Sequence, residues 1–137
     1  TIAEGPAKNQ VEGLHLKQGE GIVGWVIENK LNTSIFDASK DSRFDSNIDE
    51  KTKFVTKSML CVPMIVANEC VGAIQVINKK TVNGQFNEND LDMLENLANS
   101  AAIAIKNARL FESEQKISEL NALLKISEEL TSTLDLD

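Results

Sequence analysis

Between Met59 and Asp90 the chain dictates its own local order. Two apolar runs, Met59 to Val66 and Cys70 to Lys79, are separated by a turn, and a polar loop then leads to Phe86 and a new periodicity from Glu88 almost to Asp137. Strands joined by so short a turn form an antiparallel hairpin. Placing the turn at Asn68-Glu69 pairs Cys70 with Ala67 and sets Cys61 opposite Val76. Both strands are apolar on both faces, which predicts a sheet covered on its two sides. Pro63 has no N–H to give a ladder, so its strand is expected to lie near an edge or to bulge there.

From Glu88 the period changes from two to about 3.6. Leu91, Leu94, Leu97, Ala98, Ala101 and Ile105 make one helical stripe, and Ala101 to Ile105 is apolar all round, as if packed on two surfaces. After Asn107 the spacing moves to heptads. Leu110, Ile117, Leu124 and Thr131 fall at one seam position; Ser113, Leu120, Ser127 and Leu134 fall at the other, with charged residues between. Leu123, Ile126 and Leu130 widen the stripe. An isolated helix is marginal in water, so this one is expected to need a second chain or a following domain.

Upstream the elements are shorter. A strand is read around Val11 to Leu16, a turn at Gly19-Glu20-Gly21, an amphipathic helix over Gly21 to Lys30, a strand over Leu31 to Phe36 and a helix over Ile48 to Lys57. In the last of these Ile48 and Val55, with Phe54, are expected to point inward.

Composition removes several classes of function. With 14 basic against 21 acidic residues the net charge is −7, which disfavours a nucleic-acid partner. The nearest basic group, Lys51, Lys53 and Lys57, follows Asp49 and Glu50 and reads as a solvated helix face. The apolar stretch Met59 to Ala67 falls well short of the roughly 20 residues of a membrane span, so no membrane contact is expected. Cys61 and Cys70 lie in strand patterns that keep them apart, which predicts reduced thiols and a cytoplasmic setting. His15 alternates with Leu14 and Leu16 as an exposed strand residue, without the Cys/His cluster a metal would need. No nucleophile–base pair or paired acid stands at a workable spacing, so this segment is not read as an enzyme.

Two constellations carry chemistry. Asp49, Thr52 and Thr56 follow one another at spacings of three and four, one face of the expected helix. A carboxylate and two hydroxyls there suit a purine edge or a ribose; equally, Asp49 and Glu50 complement a helix N-terminus. At the hairpin's far end, Asn87 is a good N-cap, Asp90 can bond back to it, and Phe86 can staple onto Leu91.

Taken in order, Gly19-Glu20-Gly21-Ile22-Val23-Gly24, Ile35-Phe36-Asp37 with Asp41 and Phe44, Leu60-Cys61-Val62-Pro63-Met64 and Gly72-Ala73-Ile74 resemble a GAF domain across residues 1 to about 111. The resemblance implies an α+β fold: an antiparallel sheet with helices packed on one face and a ligand pocket on the other, plus a long C-terminal helix. Compared with the family pattern, the first helix and first strand are missing. Residues 1–111 would be the domain, and residues 112–137 a signalling linker helix leading to a further domain. Function follows as expectation: a non-catalytic regulatory or sensory domain of a multidomain bacterial-type signalling protein. It would bind a small-molecule effector and act as a homodimer through the C-terminal helix, with any kinase, cyclase or phosphodiesterase activity residing in a separate output domain. Alternatives are a ligand-free structural dimerisation module and, more distantly, a free methionine sulfoxide reductase-type enzyme, for which Cys61 and Cys70 form no convincing attacking and resolving pair.

The cyclic-nucleotide-binding branch of the family adds cAMP or cGMP as the named candidate. Asn78, Lys79, Phe86 and Asp90 match its pattern, with Leu91 where Glu is expected. Residues 44 to 57 resemble the lid over the nucleotide, which makes Asp49, Thr52 and Thr56 ligand-binding candidates. Ile22 and Val23 would offer backbone N–H groups to the cyclic phosphate, an anion site at a helix start. Gln75 would stand where an acidic residue reads a guanine-type edge, and Asp45 where an aromatic hydroxyl would suit a phosphate better.

Overall fold

The computed structural model describes residues 2–6, 8–12 and 19–134. Its elements are α1 (Lys8–Val11), α2 (Gly21–Asn29), β1 (Thr33–Ile35), a 3-10 turn at Ala38–Lys40, α3 (Ser46–Thr52), β2 (Met59–Val66), β3 (Glu69–Ile77) and α4 (Glu88–Leu134). By its internal contacts the chain divides into two units, residues 1–102 and 103–137.

In the first unit the described strands form one antiparallel sheet in the order β1-β2-β3. The hairpin stands where the apolar runs put it, but its register is two residues away from the expected one next to the turn and one residue away beyond a bulge. Cys61 pairs with Gln75, not Val76, and Cys70 with Ile65, not Ala67. The turn is Ala67-Asn68, both at positive φ (50° and 64°), the handedness a two-residue hairpin turn prefers. A bulge between Met64 and Ile65 leaves Val71 without a counterpart, since Ile65 pairs with Cys70 and Met64 already with Gly72. Beside that bulge sits Pro63, and β1 reaches only to Cys61, so among the described strands β2 is an edge on that side by the time it reaches the proline.

Each face of the sheet has its own core. On one side Leu60 and Val62 of β2 and Ile74 and Val76 of β3 pack against Leu94 and Ala98 of α4, with Phe86 and Leu91 at its start. On the other, Met59 and Cys61, with Ala73 and Ile77, meet Ile22 and Val26 of α2, Ile35, Ala38 and the half-buried Val23, Trp25 and Phe44. Leu60 and Val26 are fully enclosed; truncating such a leucine to alanine costs about 2–5 kcal/mol. The turn at Gly19 lies tightly against α2 because Gly24 has no side chain: a Cβ there would come within 2.7 Å of the Gly19 backbone. At its end Lys30 turns left-handed (φ 56°), and its Nζ donates to the carbonyl of Asn68 in the hairpin turn, 2.7 Å.

Three further expectations change. The strand read around Val11 begins in a helical turn, and its remainder, with His15, lies outside the described residues. The helix read over Ile48 to Lys57 stops at Thr52, because Lys53 adopts φ 54° and turns the chain; Val55 is 67% exposed instead of inward. Around Ala101 to Ile105 only Ala102 is buried, and Ile103 is half exposed.

In the second unit, residues from Ile103 continue α4 as regular helix, which runs 47 residues in all. Its seam residues Leu110, Ile117, Leu120, Leu124 and Leu134 are all more than half exposed. Among the described residues no helix is long and apolar enough to cross a membrane.

Candidate functional site

The segment between α3 and β2, residues 53–57, is a strap whose backbone is held from three directions. The Thr56 N–H donates to Asp49 Oδ2 at 2.6 Å and the Thr56 hydroxyl to Asp49 Oδ1 at 2.7 Å. The Lys57 N–H donates to Asn78 Oδ1 at 2.7 Å, and Asn78 Nδ2 donates to the Val55 carbonyl at 2.7 Å. The Lys57 carbonyl accepts from the Ala38 N–H at 2.7 Å. Asp49 and Thr56 are therefore brought together, but by a turn of the chain and not by a shared helical face. Thr52 joins them through its own local bonds: its hydroxyl donates to the Ile48 carbonyl at 2.9 Å and accepts from the Phe54 N–H at 3.3 Å.

The other sequence-predicted residues fall on the α2 side of the sheet. Glu20, at the N-cap of α2, makes no side-chain cap bond, and the ladder begins with Gly24 donating to the Glu20 carbonyl. The N–H groups of Ile22 and Val23 thus precede the intrahelical ladder, as the first donors of any helix do. Ile22 is buried in the core that Val23 and Phe44 border. Gln75 is exposed, and alternation along β3 puts it on the same face as Ala73 and Ile77, which line that core. Ile22, Val23 and Gln75 therefore share the layer between α2 and the sheet, and Phe44, where the 44–57 segment begins, reaches into it.

Phe44 is anchored by a cluster that sequence spacing did not single out. Arg43 grips the Asp41 carboxylate through Nε and a terminal nitrogen at 2.9 and 2.7 Å, donates to the Thr33 hydroxyl at 3.2 Å, and lies 4.4 Å over the Trp25 ring. Such a bidentate pair stacked on an aromatic ring is a fixed joint. The guanidinium, and a bond from the Arg43 N–H, hold the Asp41 carboxyl below its ordinary value despite burial. The Asp41-x-Arg43 spacing is a legible local turn; its stacking on Trp25 depends on packing.

At the other end of the site, Asn87 and Asp90 cap α4 reciprocally, with bonds of 2.8 and 3.0 Å. Lys79 Nζ adds a 2.5 Å ion pair to Asp90. That pair and the Asn87 N–H hold the Asp90 carboxyl below its ordinary value. Cys61 and Cys70 are free, and burial pushes the Cys61 thiol up to about 12. Among the described residues no cluster of His, Cys, Asp and Glu has a metal-holding arrangement.

The GAF domain family profile matches residues 1–105. The Dual 3',5'-cyclic-AMP and -GMP phosphodiesterase 11A of Takifugu rubripes is 36% identical over 127 residues, 91% of this chain and 14% of that protein. The cGMP-specific 3',5'-cyclic phosphodiesterase of Drosophila sechellia is 32% identical over 124 residues, 90% of this chain and 10% of that one. The chain thus spans only a small part of the curated relatives it matches. Among solved structures, the GAF domain from a phosphoenolpyruvate-protein phosphotransferase of Coxiella burnetii aligns with a TM-score of 0.62 at 27% identity, covering 77% of this chain and 61% of that one. A free methionine-R-sulfoxide reductase from Neisseria meningitidis aligns with a TM-score of 0.57 at 18% identity, covering 69% and 53%, a likeness of fold alone. With the profile covering most of its length, the two-faced antiparallel sheet and the long terminal helix, the chain belongs to the GAF domain family.

Proposed function

We propose that this chain is a regulatory, non-catalytic domain that binds a cyclic nucleotide between α2, the sheet and the 44–57 segment, within a longer signalling protein. The observation that carries this reading is the 36% identity, over 91% of the chain, with a phosphodiesterase whose name specifies both cyclic AMP and cyclic GMP. The proposed contacts are the Ile22 and Val23 N–H groups for the phosphate, Asp49, Thr52 and Thr56 from above, and Gln75 from the sheet. For the nucleotide to use the Asp49 carboxylate, it must share it with Thr56 or displace it. Residues 112–137 would act as the linker helix, with a parallel homodimer through Leu110, Ile117, Leu120, Leu124 and Leu134 passing the bound state to an output domain. Binding must favour one helix arrangement over another, since equal affinity for both shifts nothing.

Calorimetric titration of the protein with cAMP and with cGMP tests this. Saturable heat with either supports it; no heat up to high-micromolar nucleotide overturns it. A second reading is favoured by the same Asp49–Thr56 bonds: a ligand-free dimerisation module, in which that carboxylate only closes the strap. It predicts no nucleotide binding together with a dimer by sedimentation, one that a charge placed in the helical seam, such as Ile117→Asp, abolishes.

A further inference from the structure

The strap and the first turn of α4 are far apart in sequence but are held by adjacent residues, Asn78 and Lys79. Beyond Ile77 the backbone can no longer serve as a strand partner, because Asn78 takes φ 54° and turns away after its N–H has bonded to the Ser58 carbonyl at 2.8 Å. Its side chain then continues the ladder. A carboxamide offers the same donor and acceptor as a peptide group, and here it takes the Lys57 N–H and the Val55 carbonyl, both at 2.7 Å. The next residue, Lys79, carries its charge to Asp90, whose same oxygen Oδ2 accepts the Asn87 N–H of the capping box. A third tie runs in parallel: the hydroxyl of the buried Ser58 donates to the Gly84 carbonyl at 2.6 Å, in the loop that leads to α4.

These bonds form one chain of contacts: Asp49 to Thr56, the strap to Asn78, Asn78 to Lys79 through one peptide bond, and Lys79 to Asp90. We infer that the Asn78-Lys79 dipeptide is a coupling joint, positioning the strap over the site and the α4 N-terminus together, so that loosening either loosens the other. The inference goes beyond ligand identity and holds for the unliganded protein. The two side chains spring from consecutive Cα atoms about 3.8 Å apart, and each is bonded at its far end, so a displacement of one anchor is felt at the other. Coupling of this kind is reciprocal in free energy.

Hydrogen–deuterium exchange on the whole chain, without nucleotide, tests it. Asn78→Gly tolerates the left-handed φ and removes only the carboxamide. The coupling predicts roughly tenfold or more faster exchange over residues 54–58, the order expected for losing two hydrogen bonds of modest net strength, and, in the same variant, faster exchange over residues 91–94. Lys79→Ala, which removes no atom bonded to the strap, must produce the reverse spread: faster exchange over residues 91–94 and also over residues 54–58. Exchange that rises only at the site of each substitution overturns the inference. Should Asn78→Gly also expose the β2 amides of residues 59–62, it has unfolded the sheet, and Lys79→Ala then decides alone: a faster strap supports the joint, and an unchanged strap overturns it. Because no ligand is involved, this result is separable from the nucleotide titration.

Discussion

Asp49 holds Thr56 by two bonds, one to its backbone N–H and one to its hydroxyl, across the left-handed turn at Lys53. Thr56 is only 8% exposed, so its N–H has little recourse to water if the carboxylate is removed. Asp49→Ala is expected to destabilise the protein by about 1–3 kcal/mol, the cost of leaving a buried donor unsatisfied. Asp49→Asn, which keeps one acceptor, should cost less. Urea denaturation reads this as a lower midpoint at unchanged m-value. An unchanged midpoint for Asp49→Ala would show that the strap needs no latch.

Gln75 offers one acceptor and one pair of donors from an exposed position on the α2 side of β3. In the proposed site, Gln75→Glu supplies a carboxylate that can accept from both the ring and exocyclic N–H groups of guanine, an adjacent donor pair adenine lacks. The ratio of cGMP to cAMP affinity should rise about tenfold, the scale of one good bidentate base contact. Competition calorimetry measures it; an unaltered ratio would put Gln75 outside the base contact.

The carboxyls of Asp90 and Asp41 lie below their ordinary value of 3.8, held there first by Lys79 and Arg43 respectively. A group whose folded value is depressed binds its proton more weakly in the native state, so its contribution is complete above the ordinary value and is lost as pH falls through the folded one. Stability should therefore fall below about pH 4. Asp90→Asn should be less stable at neutral pH, with a shallower acid limb. Thermal melts between neutral pH and pH 2 follow both effects, and parallel acid limbs in the two proteins would contradict the assignment.

Cys61 is fully enclosed between the sheet and α2, and its thiol is pushed up to about 12 by burial. The thiolate is the reactive form, so iodoacetamide at neutral pH should leave Cys61 unmodified in the native protein and label it after denaturation. Because the folded value is raised, this group's contribution is complete below the unfolded value of about 8.5 and is lost progressively as pH rises towards the folded one. Peptide mass spectrometry after a native pulse checks the labelling directly.

The parts legible in the sequence were those governed by local periodicity and local bonds. The hairpin, α2 and α4 follow from apolar spacing, and the Asn87/Asp90 cap from residues three apart. Where tertiary packing overrides local preference, the reading slipped. Ala67 is a poor residue for positive φ, yet it takes φ 50° in the turn, and the register moved accordingly. Lys53 ends α3 in a left-handed conformation without the glycine that usually marks such a stop, while the sequence carries on with helical spacing. Asp49 and Thr56 do meet, but not on a shared helical face: it is the end of the helix, and not its continuation, that joins them. The stacking of Arg43 on Trp25 crosses 18 residues and two elements, which no spacing rule encodes.

The unmatched Val71 sets the parity of the hairpin. Continuing the ladder from Ile65 and Cys70 without the bulge would pair Cys61 with Ile74, so that Ile74 and Val76 would face α2 and Gln75 would be buried against Leu94 and Ala98. One residue thus decides which side of the sheet presents an amide to a ligand and which presents a greasy wall to a helix. The tolerance of the strand to length change follows: deleting Val71 straightens β3 and preserves every other pair, whereas a deletion between Gly72 and Ile77 turns the residues before it inside out. Within β3, length variation among functional relatives should therefore collect at Val71.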